Sequence, residues 1–175
     1  KIQYEQNSKV DSLYSTPYMD VHVVTGSFPK QPDYIYLQGG LTNRGFLSFN
    51  IASLPKDIII NSAKLELTID TLKSINGQPL SDSIDVRALK DSVSKELSGD
   101  SLIVSVLKRD KNIYSGEITW LIQKWISSSD TNVNQGMMLS LTDEQRSLAR
   151  LAIYGSKTAE VINRPRLKIV YIQKK

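Results

Sequence analysis

Polar and apolar positions alternate most cleanly between Ala63 and Asp70. Leu65, Leu67 and Ile69 fall on one side of the run, and Lys64, Glu66, Thr68 and Asp70 on the other. This period of two marks a half-buried antiparallel strand. Shorter runs of the same kind recur along the chain. Tyr34 and Tyr36 alternate with Ile35 and Leu37, and Ile84, Val86 and Ala88 with Asp85, Arg87 and Leu89. Phe46 to Ile51, Leu102 to Leu107, Met137 to Leu141, Leu148 to Tyr154 and Leu167 to Ile172 predict further strands, and Val21, Val23 and Val24 begin another. Gly26, Pro29, Pro32, Gly39-Gly40 and the loop 73–82 punctuate these runs, as turn formers do. One stretch follows a different period. Ile118, Leu121, Ile122, Trp125 and Ile126 line one face of a helix of two to three turns. The polar run Asp91 to Gly99 reads as a loop or a short helix. Many short strands with one short helix predict an all-β fold, an antiparallel β-sandwich of jelly-roll type.

The chain has 175 residues, 40% of them hydrophobic and 23% charged, which suits a single globular module and disfavours disorder. Residues 1–18 are polar with scattered tyrosines and are expected to be a linker or an N-terminal strand; residues 19–175 are expected to form the sandwich. There is no cysteine, so no disulfide holds the fold. No apolar run reaches the length of about 20 residues that a membrane span needs. The net charge is +4 and the pI near 9.2, a mild basic excess that favours anionic partners. The one tight cationic cluster, Lys108, Arg109 and Lys111, encloses Asp110 and has no interleaved aromatic residues, which disfavours nucleic acid.

An Arg-x-aromatic-Leu-x-Phe strand (Arg44 to Phe49) leads into Ile51-x-x-Leu54-Pro55, and Ser62-Ala63-Lys64-Leu65-x-Leu67 follows. A helix then carries Gln123-Lys124-Trp125, Asn134-Gln135-Gly136 precedes a strand, and the chain closes on Asn163-Arg164-Pro165-Arg166-Leu167. In this order the motifs resemble the extracellular DNRLRE domain, also classed as carbohydrate-binding module family 96, over roughly residues 20–172. The resemblance implies a β-sandwich within a larger secreted or surface-anchored bacterial protein, with an extracellular or cell-surface location. Some members of that family bind alginate-like acidic polysaccharide beside catalytic domains; others sit in wall proteins. The opening YSTPYMDVHVVTG and the long polar region 73–100 depart from the family pattern.

Phe46, Phe49, Leu65, Leu67, Trp120 and Trp125 form the family's apolar signature, and core packing is their expected role. Trp120 alone falls off the helix's apolar face, which makes it the ring best placed to stack on a sugar. Lys64, Arg87 and Arg150 alternate with core-facing neighbours. If they share one sheet they would form a track for uronate carboxylates, with arginine able to bind bidentately; the alternative is an ordinary solvated sheet face. Arg44 and Lys157, on loops at strand ends, are further candidates, whereas Arg164 before Pro165 is expected to be a structural anchor. Asp130, Asn132 and Asn134 alternate before Gly136, but the spacing lacks the glycine and the twelfth-position glutamate of a calcium loop. A polar turn is expected there, with structural calcium the lesser alternative and no other metal or cofactor.

His22 is the only histidine, and there is no nucleophile elbow, no cysteine nucleophile and no histidine pair for zinc. Without a nucleophile, base and orienter the sequence predicts no enzyme. The expected function is non-catalytic binding of acidic polysaccharide such as alginate. The alternative is a structural or adhesive surface module, a spacer or a subunit of an extracellular assembly.

Overall fold

The structure, a computed structural model, describes residues 2–6, 9–13, 33–40, 43–77, 81–99, 103–130 and 132–173. The valine-rich segment around His22 and residues 14–18 lie outside them. Strands β1 (Ile2–Gln6) and β2 (Lys9–Leu13) pair antiparallel, in register from Ile2↔Leu13 to Gln6↔Lys9. Neither pairs with another strand among the described residues. The segment expected as a linker or a single strand thus carries a hairpin.

The rest of the described residues form antiparallel β-structure with one short α-helix. Small strands β3 (Tyr34–Gln38) and β10 (Arg150–Tyr154) form one sheet. The other sheet has seven strands. Its order is β11 (Arg166–Gln173), β5 (Ile58–Thr68), β8 (Ile113–Glu117), β7 (Ser105–Asp110), β6 (Ser83–Ala88), β9 (Met137–Leu141) and β4 (Gly45–Leu47). The large sheet curls, consistent with a β-sandwich. Bridges lace the small sheet to both flanks: Ile69↔Ile153 just past the end of β5, and Gln38↔Asn43 just before β4. Leu37, Leu151 and Ile153 from the small sheet and Leu65, Leu67, Ile84, Leu107 and Leu139 from the large one join a single buried cluster. Each such side chain contributes roughly 1.5–3 kcal/mol relative to exposure.

Helix α1 (Thr119–Ser127) buries Leu121, Ile122, Trp125 and Ile126, the face its periodicity predicts. Its polar side chains fasten it to β5. Gln123 Oε1 accepts the Ile60 amide at 2.8 Å, and Thr119 Oγ1 accepts the Ala63 amide at 2.9 Å. The Gln-Lys-Trp triplet therefore has a structural reading, in which Gln123 fills a donor on β5 and Trp125 fills the core. Asn134-Gln135-Gly136 is structural too. Asn134 Nδ2 donates to the Phe49 carbonyl at 2.9 Å, and Gly136 has φ +87°, with Leu47 O only 2.8 Å from where a Cβ would stand. Arg164 is the expected anchor, its Nε donating to the Thr158 carbonyl at 2.8 Å.

Some expectations differ from the structure. Phe46 is not in the core: it is 38% exposed on the outer side of β4, whose inward positions are Gly45 and Leu47. The strand expected at Leu102 to Leu107 lies three residues later, at Ser105–Asp110, because it turns through Lys111 (φ 56°) into β8. Strand β8 itself, IYSGE, was not foreseen. One of its inward positions is Gly116, where a Cβ would approach Leu107 Cδ2 at 2.9 Å, so a space requirement replaces the hydrophobic signal. The run 91–99 forms turns, with Leu89 bridging Leu97, and contains no helix.

Candidate functional site

Lys64, Arg87 and Arg150 do not form one track. Lys64 is on β5 and Arg87 on β6, separated in the sheet order by β8 and β7, while Arg150 is on β10 of the other sheet. Three strand spacings put the first two about 14 Å apart. Arg87 is paired within the fold: it lies 3.6 Å from the buried Asp85 carboxylate and 3.4 Å from Ser140 Oγ. It borders a polar cleft of about 270 Å³ with Asp85, Thr142, Asp143 and Arg146. Arg44 is a clamp, its Nε and Nη2 donating to the two Glu144 oxygens at 3.1 and 3.0 Å. Lys157 is exposed in the turn after β10. Trp120 is 58% exposed, and the Lys124 ammonium sits 5.1 Å from its ring centre.

Arg150 belongs to a different constellation. On β3, Ile35 and Leu37 point into the core, so Tyr34, Tyr36 and Gln38 take the outer face. On β10, Leu151 and Ile153 point inward, leaving Arg150 and Tyr154, with the buried Ala152 between them, on the other face. The register places Tyr154 opposite Tyr34 and Arg150 opposite Gln38. Three half-buried tyrosines thus share one face. Tyr34 lies 5.3 Å from Tyr154 and 6.0 Å from Tyr36, with rings tilted by 34° in both pairs. Two cations join them: Lys73 Nζ sits 4.2 Å above the Tyr34 ring, and the Arg150 guanidinium 5.9 Å from that of Tyr36. The buried Arg150 Nε has no hydrogen-bond acceptor among the described residues.

The turn Asp70–Lys73 builds the rim of this face. Asp70 Oδ1 accepts the amides of Leu72 and Lys73, and Oδ2 accepts the Tyr34 hydroxyl. Burial pushes the Asp70 carboxyl up, but the Tyr34 hydrogen bond, the two amides and the Lys73 charge outweigh it and hold it below its ordinary range. The hydrogen bond with Tyr34, opposed by desolvation and aided by the charge of Asp70, raises the Lys73 ammonium above its own. Desolvation, then the Asp70 charge, raises the Tyr154 phenol. The face therefore combines three tyrosine rings with the Lys73 ammonium, the Arg150 guanidinium and the Asp70 carboxylate at its rim. The period of Tyr34 and Tyr36 is visible in the sequence. The arrival of Tyr154 and Lys73 depends on strand register and on the 70–75 turn, which sequence periodicity does not encode.

A second cationic group surrounds Glu66 on the outer face of the large sheet. Glu66 is 8% exposed and meets Lys168 at 2.9 Å, Arg166 at 3.2 Å and Lys64 at 3.9 Å. The Lys168 hydrogen bond, opposed by burial and aided by the charges of Lys168, Arg166 and Lys64, holds its carboxyl low. Arg166 lies in the closing motif and Lys168 just beyond it, where the sequence gives no sign that they meet Lys64.

Among the described residues no group of three His, Cys, Asp or Glu side chains is placed to hold a metal ion. In the 130–136 turn, Asp130 Oδ1 accepts the Asn132 amide at 2.8 Å and Asn134 Oδ1 the Gly136 amide at 3.3 Å, the bonding of a polar turn. No described helix is long and apolar enough to cross a membrane. No protein-family model and no curated protein matches the chain.

Proposed function

We propose that the chain is a non-catalytic carbohydrate-binding module for acidic polysaccharide such as alginate, acting in a larger extracellular or cell-surface bacterial protein of the DNRLRE kind. The observation that carries this reading is the outer face of the β3–β10 sheet. Tyr34, Tyr36 and Tyr154 would stack against sugar rings, and Lys73 and Arg150, which lie beside these rings, would pair with uronate carboxylates. Arginine suits this task because its planar fork matches a carboxylate. Weak affinity per site is compatible with such a role, since repeated sites along a polymer add avidity.

Affinity electrophoresis in gels containing alginate or a neutral glucan tests the proposal. Alginate alone is expected to retard the protein, and added salt to weaken the effect by screening exposed charges. Tyr36→Ala should cost about 1 kcal/mol, roughly a fivefold loss of affinity. Equal retardation in both gels, or none, would sink the reading.

The second reading, a structural or adhesive surface module, is favoured by one observation. Val170, Ile172 and Ile59, 59%, 53% and 43% exposed, cluster at the β11–β5 margin. An apolar patch at a sheet margin suits a neighbouring subunit. Concentration-dependent association without alginate retardation would favour it.

A further inference from the structure

The group around Glu66 carries more positive charge than the fold uses. Lys168 and Lys64 are direct partners across the β11–β5 ladder, where like charges destabilise a sheet. Arg166 stands directly opposite Glu66 in the same ladder. One carboxylate serves all three cations. A second, Glu117 directly opposite Lys64 on β8, also accepts hydroxyl hydrogen bonds from Ser62 and Thr119, so the group keeps an excess of one positive charge. The Lys64, Arg166 and Lys168 side chains stay 44%, 38% and 59% exposed while that of Glu66 is nearly buried, so the donors reach solvent above a carboxylate that lies beneath them. Arg166 Nε is buried and has no acceptor among the described residues.

We infer that Lys64, Arg166 and Lys168 form an anion site for a tetrahedral oxyanion of the sulfate or phosphate kind. Three donors converging from two adjacent strands match a group with several equivalent oxygens. Glu66 gathers the donors and at the same time competes with the ligand for them. The site lies on the large sheet, whereas the tyrosines occupy the small one, and it does not depend on the polysaccharide reading.

The test is a titration of the full chain with sodium sulfate at constant ionic strength, against sodium chloride, followed by amide chemical shifts. Saturable shifts are expected on β5 and β11 with sulfate and not with chloride. Lys168→Gln, an exposed change, should weaken sulfate binding about threefold or more. Glu66→Gln should tighten it by a similar factor, because it removes the competing charge. A role confined to stability would not produce opposite signs. Tyr36→Ala should leave sulfate binding unchanged, which separates this site from the tyrosine face. Parallel electrophoresis in dextran sulfate and dextran identifies the source. Retardation by dextran sulfate that Lys168→Gln abolishes assigns the oxyanion to a polymer, and saturation by free sulfate alone assigns it to a small ion. Shifts equal for the two salts, or sulfate binding indifferent to both Lys168→Gln and Glu66→Gln in folded protein, would overturn the inference.

Discussion

The Tyr34 hydroxyl donates to Asp70 Oδ2 at 3.0 Å, tying the first strand of the small sheet to the chain that leaves β5. The same carboxylate orders the turn carrying Lys73, so one residue sets both the ring and the cation above it. Asp70→Asn should lower the melting temperature at neutral pH by about 2–4 °C, the equivalent of about 1 kcal/mol. The Asp70 carboxyl sits below its ordinary value of 3.8 when folded. Its stabilisation is therefore present above that value and is lost as the pH falls through the lower folded value. The melting difference between wild type and variant should accordingly close in strong acid. A gap that stays constant down to about pH 2 would contradict this assignment.

Two arginines should separate by role. Arg44→Gln breaks the bidentate contact with Glu144 and should cost about 1 kcal/mol of stability, measured by urea unfolding. It should leave alginate retardation as it was. Arg150→Gln should reduce retardation, since this guanidinium lies beside Tyr36 on the proposed sugar face. Loss of retardation in Arg44→Gln but not in Arg150→Gln would reverse the assignment.

Tyr114 is fully buried on β8, and its hydroxyl donates to the Ser81 carbonyl at 2.6 Å. Tyr114→Phe keeps the ring and orphans a buried acceptor, at a cost of about 1–3 kcal/mol. Urea unfolding reads this directly, and a cost near zero would mean that the bond contributes little.

Glycine replacement offers a contrast. Alanine at Gly136 meets both a positive φ and the Leu47 carbonyl, and a strained backbone costs about 1–3 kcal/mol. Alanine at Gly99 meets nothing within 4 Å, so stability there should stay within about 0.5 kcal/mol of wild type. Comparable losses at both positions would discount the close approach at Gly136.

The sequence was most legible where one face of an element is apolar and the other is not. Leu65 and Leu67 on β5, and Leu121 and Trp125 on α1, are buried as their spacing predicts. It was least legible where a position is chosen for the space it leaves. Gly45 and Gly116 face inward without any hydrophobic signal, which hid β8 and turned Phe46 outward. The candidate sites divide the same way. Tyr34 and Tyr36 alternate visibly, but Arg150 joins them only because β10 pairs with β3. Lys64 meets Arg166 and Lys168 only because β11 returns to the edge of β5. Pairings between strands far apart in the chain leave no local periodicity, so the grouping of these cations could not be read from spacing.

That return of β11 has a consequence in time. Glu66 and Lys168 are 102 residues apart. At synthesis rates of roughly 5–20 residues per second, β5 leaves the ribosome on the order of 5–20 s before the strand that covers its free edge. During that interval Lys64 and Glu66 lie at an open margin without Arg166 and Lys168. The trio of cations is then among the last features to assemble, and the speed of translation governs how long a nascent β5 can recruit the wrong neighbour.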